Sequence, residues 1–235
     1  MPIAKVQILR IFFALASLIL TVLVHANTIP RNDPEKMLVQ ATNELLNLSR
    51  EARDYAKQDP QRYYDEVAGI IGQVIDKNYF ARGVMATYAS QRLYRSLPTD
   101  AEKTAFNARI TRFADTLQAV LIEKYADALL TFGGERIDVQ NITSSGSPDT
   151  KVSLLQTIYD KNNKTYNVQY NLQKKSDGLW LINNVIVEGI NMGATYRNQF
   201  SEAVDKHQGD VDYVVDHWGE LMNNPQKSTE KNDAQ

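Results

Sequence analysis

Two carboxylates and an imidazole, Asp212, Asp216 and His217, stand close together near the C-terminal end of this 235-residue chain, with His207 shortly before them. These are the side chains that acid–base catalysis or a metal ion would recruit. Their spacing argues against both. Asp212 and Asp216 lie one helical turn apart, as on a solvated helix face. Neither histidine stands at ligand spacing from another histidine or from a cysteine, and the chain has no cysteine. No glycine-rich phosphate loop, nucleophile elbow or two-histidine metal helix occurs. Gly133 and Gly134 end a helical pattern and precede a strand, the reverse of the order in a dinucleotide site. No catalytic residue, metal ligand or cofactor is assigned, although scattered carboxylates in a cone-shaped α+β pocket would still allow acid–base chemistry.

The abundant resource of the chain is apolar surface. Lys5 and Arg10 precede an apolar run over residues 11–24, and Val24-His25-Ala26 supplies a signal-peptidase site. The run is shorter than the roughly 20 residues that span a bilayer. Residues 1–26 are therefore read as a signal peptide cleaved after Ala26, with export to a bacterial periplasm. No cysteine follows the run to carry a lipid anchor. Loss of two basic residues takes the formal charge from −2 to −4, with no basic stripe for nucleic acid. A cysteine-free chain needs no disulfide in an oxidising compartment.

The elements that must position the apolar surface follow from periodicity. Asp33-Pro34 starts a helix whose stripe runs through Leu38, Ala41, Leu45, Leu48, Ala52 and Tyr55. Asp59-Pro60 starts a second, with a broad face of Val67, Ile70, Ile71, Val74 and Ile75. Shorter helical pieces fill residues 76–97. Thr99 and Glu102 have capping-box spacing and open the longest helix, with a single stripe of Phe106, Ile110, Phe113, Leu117, Val120, Leu121, Tyr125 and Leu129. Strands are expected over residues 135–142 and 151–159, then from the alternation of Tyr166, Val168, Tyr170 and Leu172, then over 180–187 after a tight reversal at Asp177-Gly178. Helical periodicity resumes past Gly189, and a closing helix spans residues 210–222.

This order predicts an α+β fold in which a curved, four-stranded, mainly antiparallel sheet is covered by about seven helices. One domain spans residues 27–222, and residues 223–235 read as a disordered polar tail. Val152, Leu154 and Ile158 join Tyr166, Val168, Tyr170 and Leu172 on the inward face, with either face of residues 180–187. Such residues can pack into a filled core, the commoner outcome, or line a chamber.

Several stretches resemble the MlaC, or toluene-tolerance, family of periplasmic phospholipid-binding proteins: Tyr170-Asn171-Leu172, Trp180, Asn184, Glu188-Gly189-Ile190-Asn191, and Tyr196-Arg197-Asn198-Gln199-Phe200. Ile75-Asp76, Tyr79 and Arg82, and Lys124-Tyr125-Ala126, are similar in order and spacing. The resemblance covers residues 36–220. Asn184 replaces the family's usual aspartate, Asn191 its usual serine, and Asn171 a common arginine.

The resemblance implies a non-enzymatic, monomeric carrier with a partly NTF2-like fold around a hydrophobic lipid pocket. Its ligand would be a diacyl phospholipid, and its partners an outer-membrane lipoprotein–porin complex and an inner-membrane ABC transporter with an MCE-domain ring. The expected acyl-chain contacts are Val67, Ile70, Ile71 and Val74, then Leu117, Leu121 and Tyr125. On the sheet they are Val152, Leu154, Ile158, Tyr166, Val168, Tyr170 and Val187, with Met192 beyond it. Tyr196 and Arg197 are placed at the head group or a partner, with a helix-anchoring salt bridge as the other reading of Arg197. Gly189 is read as a backbone requirement at a sharp strand exit. A ligand-free adaptor or chaperone, or a cone-shaped pocket enzyme, are the alternatives.

Overall fold

The computed structural model describes residues 28–132 and 134–223. The expected signal peptide and most of the expected polar tail lie outside the described residues. Among those described, the helices are α1 (Pro34–Ala52), α2 (Pro60–Val74), α3 (Lys77–Met85), α4 (Gln91–Ser96) and α5 (Asp100–Thr131), with a 3₁₀ turn at Ala86–Ala89. A meander follows of β1 (Gly134–Asn141), β2 (Lys151–Asp160), β3 (Thr165–Lys174), β4 (Trp180–Val187) and the two-residue β5 (Ile190–Asn191). Helices α6 (Met192–Lys206) and α7 (Val211–Asn223) close the fold. Every strand pairs antiparallel with the next.

The helix starts follow local chemistry. The Asp33 carboxylate accepts from the Glu35 and Lys36 amides, each at 3.1 Å, and Asp59 accepts from the Arg62 amide at 3.1 Å. Each is followed by proline where a missing N–H costs nothing. Thr99 and Glu102 form the reciprocal capping box of α5. At the far end of α5, Arg53 Nε donates to the Leu130 carbonyl at 2.8 Å, placing a cation against the negative end of the helix dipole.

Three apolar clusters result. Over the inner face of β2 to β4, Met37, Leu38 and Ala41 of α1 meet Val74, Leu154, Leu172, Trp180 and Ile182. Beneath them Gln156 is fully buried, satisfied by Thr42 Oγ1 at 3.0 Å and the Tyr170 hydroxyl at 3.2 Å. Burial pushes the Tyr170 hydroxyl far above its ordinary pKa, so it stays a neutral donor. A second cluster joins α1, α2 and α5 through Ala52, Tyr63, Val67, Ile122 and Ala126, with the Tyr63 hydroxyl donating to the Ala126 carbonyl at 2.9 Å. The third joins α3, α5, α6 and α7 around Phe113, Phe200 and Trp218, whose ring centroids lie 4.8 to 5.7 Å apart.

Four details differ from the sequence reading. The apolar residues of α5 serve two clusters on different sides rather than forming one stripe, because the helix is sandwiched. The sheet has a fifth strand where helix was expected. Glu188 and Gly189 take φ of 48° and 80° and make a two-residue hairpin that pairs Ile190 with Val187. At the earlier reversal only Gly178 has positive φ, at 83°, within a longer loop closed by Lys175 N–H to the Leu179 carbonyl. Finally, Asp212 and Asp216 do not form a free face. Arg109 grips Asp212 through two nitrogens at 2.7 and 2.5 Å, and Arg112 reaches Asp216 at 2.8 Å and Asp212 at 3.3 Å, clamping α7 to α5.

The bond from Arg109 holds the Asp212 carboxyl below its ordinary value of 3.8. A depressed folded-state pKa adds stability above the unfolded value and loses it as pH falls through the folded value. With half the side chain in solvent, Asp212→Asn is expected to cost about 0.5–1 kcal/mol at neutral pH. Urea denaturation across pH should show the difference from wild type shrinking below about pH 4.

Candidate functional site

The sheet is not covered evenly. Helix α1, with Val74 of α2, covers the inner face of the sheet as far as Trp180 and Ile182 at the start of β4, whereas α5 stands off the rest of β4. Just past Val74 the chain is also pinned to the sheet. Ile75 bridges to Ile182, the Asp76 amide donates to the Ile182 carbonyl at 2.9 Å, and the Asp76 carboxylate meets Lys175 Nζ at 2.7 Å. Beside the pin lies a cavity of about 760 Å³ walled by α2, the start of α3, α5, β4, β5 and the first turn of α6.

A bulge in β4 shapes its sheet wall. Asn171 pairs with Asn184 but Leu172 pairs with Ile182, so Asn183 is the extra residue. The inward set therefore shifts from Trp180 and Ile182 to Val185 and Val187, keeping apolar side chains on one face through a sequence that does not alternate strictly. Val185 and Val187 carry the wall outward along β4.

The helix wall is α5. Ala114, Leu117, Leu121, Ile122, Tyr125, Ala126 and Leu129 border the cavity, which thus follows residues 114–129 for about 22 Å at helical rise. Val67 and Ile71 of α2, with Ile75 just past its end, complete one side, and Met192 and Thr195 of α6 the other. Asn191 is the N-cap of α6, its side chain accepting from the Ala194 amide at 3.0 Å. Asparagine caps as well as serine, so this departure from the family pattern leaves the helix start intact. Gly193 lets β4 approach, since a Cβ there would fall 2.7 Å from Asn184 Oδ1.

The lining has Gln118, Asn183, Asn184 and Thr195 as neutral polar members, and its charged groups stand toward the ends. At one end Lys77 borders the cavity and pairs with Asp115 of α5 at 2.5 Å. At the other, Glu188 sits on the β4–β5 hairpin and accepts from the Asn167 amide. Exposed Tyr125 (43%), Val187 (39%) and Ile190 (60%) rim that end. The Tyr125 hydroxyl lies 3.0 Å from that of Tyr196, which is 1% exposed. Burial, then the bond to Tyr125, raise the Tyr196 hydroxyl far above the ordinary tyrosine range.

Of the fifteen side chains expected at a pocket, Val67, Ile71, Leu117, Leu121, Tyr125, Val187 and Met192 line this cavity. Val74 and Leu154 lie in the cluster under α1, with Ile70, Val152 and Tyr170 packed against it. Ile158 and Val168 are half-buried on neighbouring strands, and Tyr166 lies edge-on to Phe132 at 5.1 Å. Tyr196 is core rather than mouth, and exposed Arg197 donates through Nε to the Gly83 carbonyl at 2.8 Å, tying α6 to α3. Gly189 has the positive φ of its hairpin. Sequence reasoning missed Lys77, Phe80, Ile182, Val185, Ile190 and Thr195. Asn183-Asn184, two polar residues inside a β-branched run, was the one available sign of the bulge.

Comparison with known proteins agrees with this architecture. The chain is 27% identical over 209 residues to a curated relative, "Toluene tolerance protein ttg2D" of Pseudomonas putida, covering 86% of this chain and 90% of the relative. Its fold is shared with a solved phospholipid-binding protein from Ralstonia solanacearum, determined in complex with a phospholipid. The TM-score is 0.62 at 18% identity, over 81% of this chain and 99% of that one. The MlaC protein family model matches residues 39–220, so the chain belongs to the MlaC family.

Proposed function

We propose that the protein is a monomeric, non-catalytic periplasmic carrier that takes a whole phospholipid, acyl chains inward, into the cavity between α5 and β4. It would exchange that lipid with an outer-membrane lipoprotein–porin complex and an inner-membrane ABC transporter bearing an MCE-domain ring, so maintaining outer-membrane lipid asymmetry. The observation that carries this reading is the cavity itself, about 760 Å³ with a predominantly apolar lining. Membership of the family and the phospholipid held by the fold relative support the ligand class.

The dimensions suit acyl chains. A cavity following α5 for about 22 Å exceeds one leaflet's share of a hydrocarbon core about 30 Å thick. The energetics suit a carrier rather than a sink. Burying roughly 25 to 30 methylenes at about 0.8 kcal/mol each gives a gross gain near 20 kcal/mol, but a bilayer offers the same chains an equal environment. Net transfer is nearly balanced, and direction falls to the partners. A cone-shaped pocket enzyme would need an enclosed acid facing a tyrosine, whereas Glu188, the carboxylate on the lining, is exposed on a hairpin. The exposed apolar side chains that a ligand-free chaperone would use belong here to the cavity rim.

Native mass spectrometry of protein released gently from a bacterial periplasm should show adducts of phospholipid mass. Bare protein would overturn the proposal. Leu121→Trp, which pushes an indole into the cavity, should lower occupancy at least several-fold with less than about 1.5 kcal/mol lost from stability, since the added volume enters open space. Leu154→Ala, in filled core, should instead cost about 2–5 kcal/mol in denaturant unfolding. Equal stability losses at the two positions would mean that the space beside Leu121 is ordinary core.

A further inference from the structure

The cavity is electrically polarised. Of the residues on its wall, one is a cation and one an anion, Lys77 and Glu188. Lys77 pairs with Asp115, next to Ala114 at the start of the α5 wall. Glu188 bonds Asn167, whose neighbour Tyr166 packs on Phe132 just past the last turn of α5. The two charges therefore mark opposite ends. Other charges nearby lie off the wall. Lys124 lies over the outer ring of Tyr125 at 5.8 Å but does not border the cavity, and Asp127 faces the Tyr64 hydroxyl.

We propose that Lys77 contacts the phosphodiester of the bound lipid and biases the carrier toward lipids of net negative charge. This rests on the phospholipid reading above. Phe80, one turn on from Lys77, is itself on the cavity wall, so the methylene stem of Lys77 follows apolar surface while its ammonium reaches the edge. Asp115 holds that ammonium in an exposed pair, with the two side chains 44% and 56% accessible. Such a pair is weak and exchangeable, and a phosphate oxygen can replace the carboxylate. Gln118, one turn beyond Asp115 on the same wall, presents an amide to the same end. The acyl chains would then run along α5 toward the apolar rim at Tyr125, Val187 and Ile190, and Glu188 disfavours the reverse orientation of an anionic head group.

The test exchanges purified mature protein against vesicles of equal parts dioleoyl-phosphatidylglycerol and dioleoyl-phosphatidylcholine and counts each adduct by native mass spectrometry. Wild type should be enriched in the anionic lipid by about two- to fivefold, the range one exposed charge supplies. Lys77→Met should bring the ratio to parity, Lys77→Arg should keep it, and Asp115→Asn should raise it. Parity in wild type, or an enrichment that Lys77→Met leaves unchanged, overturns the role of Lys77 while leaving lipid carriage standing. Wild type that takes up neither lipid overturns both. Inorganic phosphate supplies the control: if excess phosphate abolishes the enrichment as fully as Lys77→Met does, Lys77 is a site for free anions and the lipid assignment falls.

Discussion

An apolar wall left uncovered by the described residues is the constraint on which this molecule depends. Val185 and Val187 of β4 face Leu117, Leu121 and Tyr125 of α5 across open space, where core side chains would ordinarily interdigitate. Side chains beside a void lose the dispersion contacts that close packing supplies, and water restores them poorly. The rest of the fold must hold these surfaces apart, and an apolar occupant is what they are suited to meet.

Three packed clusters provide the frame. Helix α5 belongs to two of them, through Phe106 to Val120 on the α3–α6–α7 side and through Ile122 and Ala126 on the α1–α2 side. Arg109 and Arg112 fasten α7 to it, Arg53 covers its last carbonyls, and Lys77 links it to α3. On the opposite wall the Ile75–Ile182 bridge fixes where α2 meets the sheet. Buried polar side chains also tie the frame together, as at Gln156 with Thr42 and Tyr170. The cavity lies where that frame does not close.

Family membership and physical reading bear on different parts of the molecule. The residues that carried the resemblance, Trp180, Gly189 and Phe200, are structural: Trp180 closes the cluster under α1, Gly189 turns the β4–β5 hairpin, and Phe200 anchors the aromatic core. Asn191 preserves a helix cap by different chemistry. The cavity wall is mostly aliphatic, with Phe80, Tyr125 and a few neutral polar side chains among it and charge toward the ends.

Local chemistry determined the elements. Prolines after Asp33 and Asp59, the Thr99–Glu102 box, the alternation from Tyr166 to Leu172 and the change of period past Gly189 were all legible in the residues, because caps, turns and periodicity act over a few positions. Which inward residues meet a helix and which meet open space was not legible. Leu154 and Val187 have the same inward strand pattern, yet α1 covers one and no described residue covers the other. That outcome depends on a one-residue bulge, a bridge from α2 and the stand-off of α5. Each arises from contacts between segments distant in sequence, to which side-chain periodicity is blind.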